Sequence, residues 1–190
     1  MIRRLPLLLL GLAFVALAGT VMAIDLRHAQ TSSLPLADTS IIRREASAKH
    51  LDPALIAAVI DTESHFEPRP SSAGAQGLMQ LLPSTAEYLA GLSGGYAFHA
   101  SDLASAEVNI AYGSYYLRYL LDHYKGDEML ALAAYNGGVG NVDSWVARER
   151  AQGRNLTVET IPFAQTREYV RRVMEAQQEY RSRYGPALGV

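Results

Sequence analysis

The sequence contains no cysteine. That excludes a disulfide framework, a thiolate metal site and a lipid-bearing N-terminal cysteine. Charge is also scarce. Asp, Glu, Lys and Arg make up 19% of the 190 residues, and the formal net charge is -2. A nucleic-acid binder would normally carry a basic face or stripe, so nucleic acid is not an expected partner. Strand signals are nearly absent, no segment repeats another, and none is low in complexity. The five histidines show no metal-ligand spacing, and there is no phosphate-cradling glycine loop, Ser–His–Asp set or cofactor motif. The expected site therefore contains neither metal nor cofactor.

Apolar residues are plentiful, at 49%, enough for a packed core. Part of this content lies in the first residues. Arg3 and Arg4 precede a nearly unbroken apolar run from Leu5 to Ala18. Ala16-Leu17-Ala18 and Val21-Met22-Ala23 each offer small residues to a signal peptidase. The pattern predicts a secretory signal peptide over residues 1–23, with a retained membrane anchor as the alternative. Export without cysteine suits a bacterial periplasm or cell surface. Residues 24–37, with Thr31-Ser32-Ser33 and Pro35, read as a linker, and 38–190 as one domain.

That domain reads as mostly α. A first helix is expected over Thr39–Lys49. A second starts at Asp52, a good N-cap, with Pro53 at the first helical position, and runs to Glu63. His65 to Gln76 is a loop rich in proline and serine. Gly77 to Leu81 suggests a turn of strand. Further helices are expected over Pro83–Ala90, Ser105–Tyr124, Asp127–Tyr135, Val142–Arg150 and Thr166–Arg183, with stops at Gly137-Gly138 and Gly185. Gly91, Gly94 and Gly95 mark a loop. Tyr112, Tyr115, Tyr116 and Tyr119 follow one helical stripe, and most of them read as core.

The second helix carries a charge that needs explaining. Ile56, Val59, Ile60 and Glu63 stand at i, i+3, i+4 and i+7, which puts a carboxylate on an apolar stripe. Burial penalises the charged form, and the negative end of the helix dipole does the same. Both effects raise a carboxyl pKa. A protonated carboxyl at neutral pH is what a general acid for glycosidic cleavage requires. From this helix alone, a glutamate turned out to solvent remains the plainer alternative.

The following residues shift that balance. Glu63-Ser64-His65-Phe66-Glu67-Pro68 leads to Gly74-Ala75-Gln76-Gly77-Leu78-Met79-Gln80-Leu81-Leu82-Pro83-Ser84-Thr85-Ala86. Downstream come Asn109-Ile110 with Gly113 and Tyr116-Leu117, and then Ala133-Ala134-Tyr135-Asn136-Gly137-Gly138. Ile161-Pro162-Phe163 with Thr166-Arg167 and Tyr169-Val170 closes the series. These four ordered motifs, spanning roughly Ser40 to Met174, resemble those of the soluble lytic transglycosylases. There are two departures. The loop before Gly74 is one residue short, with Pro70 where Ala is common, and Gln165 stands where the family usually has Glu.

The resemblance implies a lysozyme-like helical domain with long loops around a substrate groove. Its substrate would be the glycan strands of peptidoglycan. Glu63 would be the catalytic acid and base, with Ser64, Met79, Gln80, Tyr135 and Asn136 as substrate-binding candidates. The product would be a 1,6-anhydro sugar, formed without water. Asp61 lies about 200° around the helix from Glu63 and points elsewhere. Glu67, Glu87 and Asp102 read as structural. Two alternatives remain. One is a hydrolytic, lysozyme-type muramidase. The other is a glycan-binding accessory subunit, and either an enzyme or such a subunit could serve an envelope-spanning secretion or conjugation complex.

Overall fold

A computed structural model describes residues 34–93 and 98–190. The chain divides into two units, Met1–Leu34 and Pro35–Val190. The expected signal peptide, all but the end of the linker, and Gly94 and Gly95 lie outside the described residues.

Among the described residues seven α-helices follow one another: α1 (Thr39–Lys49), α2 (Pro53–Ser64), α3 (Pro83–Ser93), α4 (Ala106–His123), α5 (Glu128–Gly137), α6 (Val139–Ala151) and α7 (Ala164–Leu188). Two short 3-10 helices, Ala100–Ala104 and Val158–Thr160, lie between them. Among the described residues there is no strand. The expected strand at Gly77–Leu81 is instead a tight turn closed by one antiparallel bridge, Gln76 to Leu81. Two backbone hydrogen bonds of 2.9 and 3.0 Å fix it.

Local chemistry explains the starts of α2 and α5. The Asp52 side chain accepts from the Ala54 N–H at 2.9 Å, and Pro53 needs no partner. Asp127 caps α5 through the Leu130 N–H at 3.0 Å. Tertiary contacts decide the ends that local signals misplace. Gly138, at φ 83°, ends α5 and starts α6 in one residue, so α6 begins three residues before the expected Val142. Gly185 does not stop α7. It is buried where a Cβ would meet the Val190 carbonyl oxygen at 2.9 Å, and buried Leu188 holds the helix on past Pro186. α3 likewise runs through Gly91 to Ser93.

α2 is the central helix. Every residue from Pro53 to Asp61 is buried, so it has no polar face over most of its length. The apolar stripe that seemed to single out Glu63 is really a helix apolar all round, as expected for one enclosed by neighbours. α7 packs along it and α1 lies against it, while α4 packs on α1 and α5, and α5 on α7. The tyrosine stripe of α4 is not core. Tyr112, Tyr115, Tyr116 and Tyr119 are all half-buried, and Tyr112 and Tyr116 pack on the buried side chains of Leu81, Ala86 and Leu103.

Candidate active site

Glu63 occupies the last turn of α2, just before the chain reverses. The reversal uses two consecutive left-handed residues, His65 (φ 52°) and Phe66 (φ 59°). Side chains other than glycine and asparagine avoid this region, so such a pair persists only where its surroundings impose it. Here the His65 N–H bonds to the Asp61 carbonyl at 2.9 Å, and His65 Nδ1 lies 3.0 Å from Asp61 Oδ1. Asp61 is thereby engaged with the turn. The Ser64 side chain is buried, and its hydroxyl donates to the Ile60 carbonyl at 3.1 Å, facing its own helix.

The turn at Gln76–Leu81 is held by a residue that sequence reasoning treated only as part of a pattern. Asn109 on α4 is fully buried. Its Oδ1 accepts from the Met79 N–H at 2.7 Å, and its Nδ2 donates to the carbonyls of Gln76 (2.9 Å) and Leu103 (3.1 Å). One amide thus bonds three backbone groups, and the Gln76 carbonyl also accepts from the Leu81 N–H. Gly77 makes room for it: a Cβ there would lie 2.0 Å from Asn109 Nδ2. Gly113 makes room for the Met79 side chain in the same way, with Met79 Sδ 2.3 Å from where a Cβ would sit.

Met79 is completely buried, so its side chain packs and its backbone carries the polar contacts. Its carbonyl accepts from the Tyr135 hydroxyl at 2.8 Å. The Tyr135 hydroxyl thus gives its proton to the turn rather than to Glu63. Gln80, at φ 46°, turns its amide nitrogen onto the carbonyls of Arg69 and Gly77, both at 2.7 Å. In that pose its N–H groups hold the loop.

The surroundings of Glu63 are aromatic. Tyr135 and Tyr169 lie with rings parallel, 6.5 Å between centroids and 6° between planes. Burial raises both hydroxyls well above their ordinary range, and the Glu63 carboxylate adds to the effect on each. Glu63 itself is pushed up from 4.5 to about 7. Burial is the main cause, opposed by the Tyr169 hydroxyl and the Arg172 guanidinium. The Tyr169 hydroxyl is buried and favours the carboxylate, yet it makes no hydrogen bond of full geometry. It is an underused donor beside an under-solvated acid. A carboxyl near 7 is divided between its two forms at neutral pH, so it can give a proton and take one back.

Asn136 lies apart from this group in its contacts. Its Oδ1 accepts from Thr166 Oγ1 at 2.8 Å, and it lines a cleft of about 440 Å³ with Pro162, Phe163 and Gln165. Tyr169 was visible in the sequence only as part of the closing motif. It shares a helical stripe with Thr166, Val170 and Val173, and nothing but tertiary structure distinguishes it from core. Of the possible second carboxylates, Glu67 and Glu87 are exposed, and Asp102 accepts from the His99 N–H at 2.9 Å. No group of three His, Cys, Asp or Glu side chains able to hold a metal occurs among the described residues.

The family model described as the transglycosylase SLT domain matches residues 40–158. The soluble lytic murein transglycosylase of Escherichia coli K12 is 33% identical over 151 residues, covering 77% of this chain and 23% of that protein. The transglycosylase of Enterobacteria phage PRD1 is 44% identical over 108 residues, covering 56% of this chain and 37% of the phage protein. The crystal structure of the 70 kDa soluble lytic transglycosylase of E. coli superposes with a TM-score of 0.74 at 32% identity, covering 82% of this chain and 26% of that one. An inactive mutant of the lytic transglycosylase Slt from Pseudomonas aeruginosa gives 0.73 at 34% identity, covering 80% and 25%. The chain thus spans about a quarter of the length of these large soluble relatives. It shares their lysozyme-like helical fold, and it belongs to the transglycosylase SLT domain family.

Proposed function

We propose that this chain cleaves the β-1,4 bond between N-acetylmuramic acid and N-acetylglucosamine in peptidoglycan without water, with Glu63 as the sole catalytic residue. The observation that carries the reading is the Glu63 carboxyl at about 7, enclosed by Tyr135 and Tyr169. Protonated Glu63 gives its proton to the glycosidic oxygen, the C1–O bond breaks, and N-acetylglucosamine leaves as the alcohol. The substrate's own N-acetyl group stabilises the cationic C1. Glu63, now a carboxylate, takes the proton from the muramoyl C6 hydroxyl as that oxygen bonds to C1. The 1,6-anhydro ring closes, and Glu63 is protonated again for the next cycle.

The remaining candidates support the strand. Gln80 and Asn136 offer amide groups to N-acetyl substituents. Ser64 is a candidate for the muramoyl side if its hydroxyl turns from Ile60. Met79 packs beneath the site, and Tyr135 fixes the turn and encloses the acid. This single-carboxylate scheme differs from the paired carboxylates of most glycoside hydrolases. Mass spectrometry of the soluble muropeptides tests it. Anhydro ends are expected, one water lighter than the reducing ends a muramidase would leave. Reducing ends as the main product would overturn the proposal, and binding to sacculi with no soluble product would favour an accessory subunit.

For location, we infer export to the periplasm or cell surface, supported by Arg3-Arg4 and the apolar run Leu5–Ala18. No described helix is long and apolar enough to cross a membrane. Service to an envelope-spanning secretion or conjugation complex is the finer form of the proposal, and copurification from crosslinked envelopes tests it.

A further inference from the structure

Few large apolar side chains of the described residues are strongly exposed, and two of them, Tyr88 (54%) and Leu92 (50%), stand at i and i+4 on α3. Scattered surface hydrophobics need no explanation, but Tyr88 is not isolated. Its ring meets Tyr119 of α4 edge to face, with centroids 6.1 Å apart and planes at 80°. Tyr119 runs parallel to Tyr116 at 6.3 Å, and Tyr116 contacts Tyr135 at 5.2 Å. Tyr135 is one of the two tyrosines beside Glu63. An unbroken series of ring contacts therefore joins an exposed aromatic on α3 to the acid. Its inner members rest on buried Leu81, Ala86 and Leu103, so they are fixed in advance.

The outer pair has the form of a corner, with one ring as wall and the other as floor. Its two hydroxyls are 3.4 Å apart, and either can be the donor. One hydrogen bond between two phenols uses one of their two protons, leaving a donor and acceptor lone pairs. A pyranose matches such a corner, having an apolar C–H face and hydroxyls at its rim. Tyrosine suits such a place because it joins an apolar ring to a polar tip at little entropic cost. The two rings are uncharged and the Asp143 carboxylate acts on Tyr119, which suits a neutral sugar better than a peptide carboxylate or a phosphate.

We propose that Tyr88 and Tyr119 form an outer sugar subsite, continuous through Tyr116 and Tyr135 with the Glu63 site, that holds a glycan strand beyond the two residues flanking the scissile bond. This rests on the glycan-cleaving reading above. It makes preference for long strands a property of α3 and α4, separate from the chemistry at Glu63.

The test uses the full chain and the variants Tyr88→Ala, Tyr88→Trp and Tyr119→Phe. Binding of chitohexaose and chitobiose is measured by calorimetry in the Glu63→Gln background, so the result does not depend on turnover. Loss of one aromatic stack is expected to weaken chitohexaose binding by about three- to tenfold in Tyr88→Ala. Tyr88→Trp should retain affinity, and the effect on chitobiose should be smaller. Cleavage of long uncrosslinked glycan strands should fall in parallel. If Tyr88→Ala binds chitohexaose as the Glu63→Gln parent does, the subsite is refuted. Equal losses for both sugars together with a lower Tm would also refute it, by showing a structural role. If the subsite binds sugar as expected but wild type releases no muropeptide, the cleavage reading fails and the subsite stands.

Discussion

The two ends of α2 each carry a carboxylate, and they are treated in opposite ways. At the N-terminus, Asp52 is fully employed. Its Oδ1 caps the helix at 2.9 Å, and its Oδ2 accepts from Gln177 Nε2 at 2.8 Å and from Arg181 at 2.6 Å. At the C-terminus, Glu63 has one buried hydroxyl without full hydrogen-bond geometry and an exposed guanidinium nearby. The helix dipole favours a negative charge at the first end and disfavours one at the second. One carboxylate is placed where charge stabilises the fold, and the other where charge is costly. A group kept poorly solvated is a reactive one, and the fold bears that cost at Glu63.

The sharpest way to break this comparison is Glu63→Gln. The variant should lose about a thousandfold or more in muropeptide release, because no other group is placed to take over the proton transfers. It should also be more stable than wild type above neutral pH. Because the folded-state pKa of about 7 lies above 4.5, Glu63 favours folding most in its protonated form. Wild type therefore loses stability relative to the variant as pH rises from 4.5 through 7, and the gap is constant above. It should reach about 1–3 kcal/mol at pH 8, read from Tm or urea unfolding. An inactive variant that is also less stable at pH 8 would break the contrast between the helix ends.

Asn109→Ala should come next. It removes the Asn109 bonds to the Met79 N–H and the Leu103 carbonyl and leaves the Gln76 carbonyl with the Leu81 N–H alone, and should cost about 3 kcal/mol in urea unfolding. Muropeptide release should fall too, because the turn that receives the Tyr135 hydroxyl loses its anchor. Asp52→Ala removes a cap and two bonds to α7. It should cost about 1–2 kcal/mol while leaving muropeptide release per folded molecule unchanged. An equal loss of activity there would mean that the two ends of α2 are not separable. The smallest effect belongs to Tyr169→Phe. The Tyr169 hydroxyl favours the Glu63 carboxylate, so its removal should move the alkaline limb of the pH–rate profile to higher pH.

Much of the fold was legible because local chemistry set it. Asp52-Pro53 and Asp127 marked helix starts, and Gly137-Gly138 marked a stop that the structure places at Gly138. Errors arose where burial overrode local preference. Gly185-Pro186 reads as a stop, yet α7 passes through it because Leu188 is buried beyond. The α4 tyrosines share a helical stripe, but periodicity cannot tell a buried face from a half-buried one. For the candidate site, Glu63 was found through a stripe argument that α2, apolar all round, does not support. The motifs that followed it were the better signal. Asn109 and Tyr169 were present in those motifs, but their contacts reach Met79, 30 residues away, and the Glu63 carboxyl. No local rule could assign them. Nor could one show that Tyr135 would bond to the Met79 carbonyl, 56 residues off, in place of the acid.

The most direct measurement is an NMR titration of the Glu63 side-chain carboxyl in the folded wild-type chain, with ¹³C-labelled glutamate and Glu63→Gln to assign the resonance. A midpoint near 7 is expected if burial is what sets it, with the carboxyl carbon resonance moving downfield as the proton leaves. A midpoint near 4.5 would mean that Glu63 is an ordinary ionised carboxylate at neutral pH, and the account of it as acid and base would be contradicted.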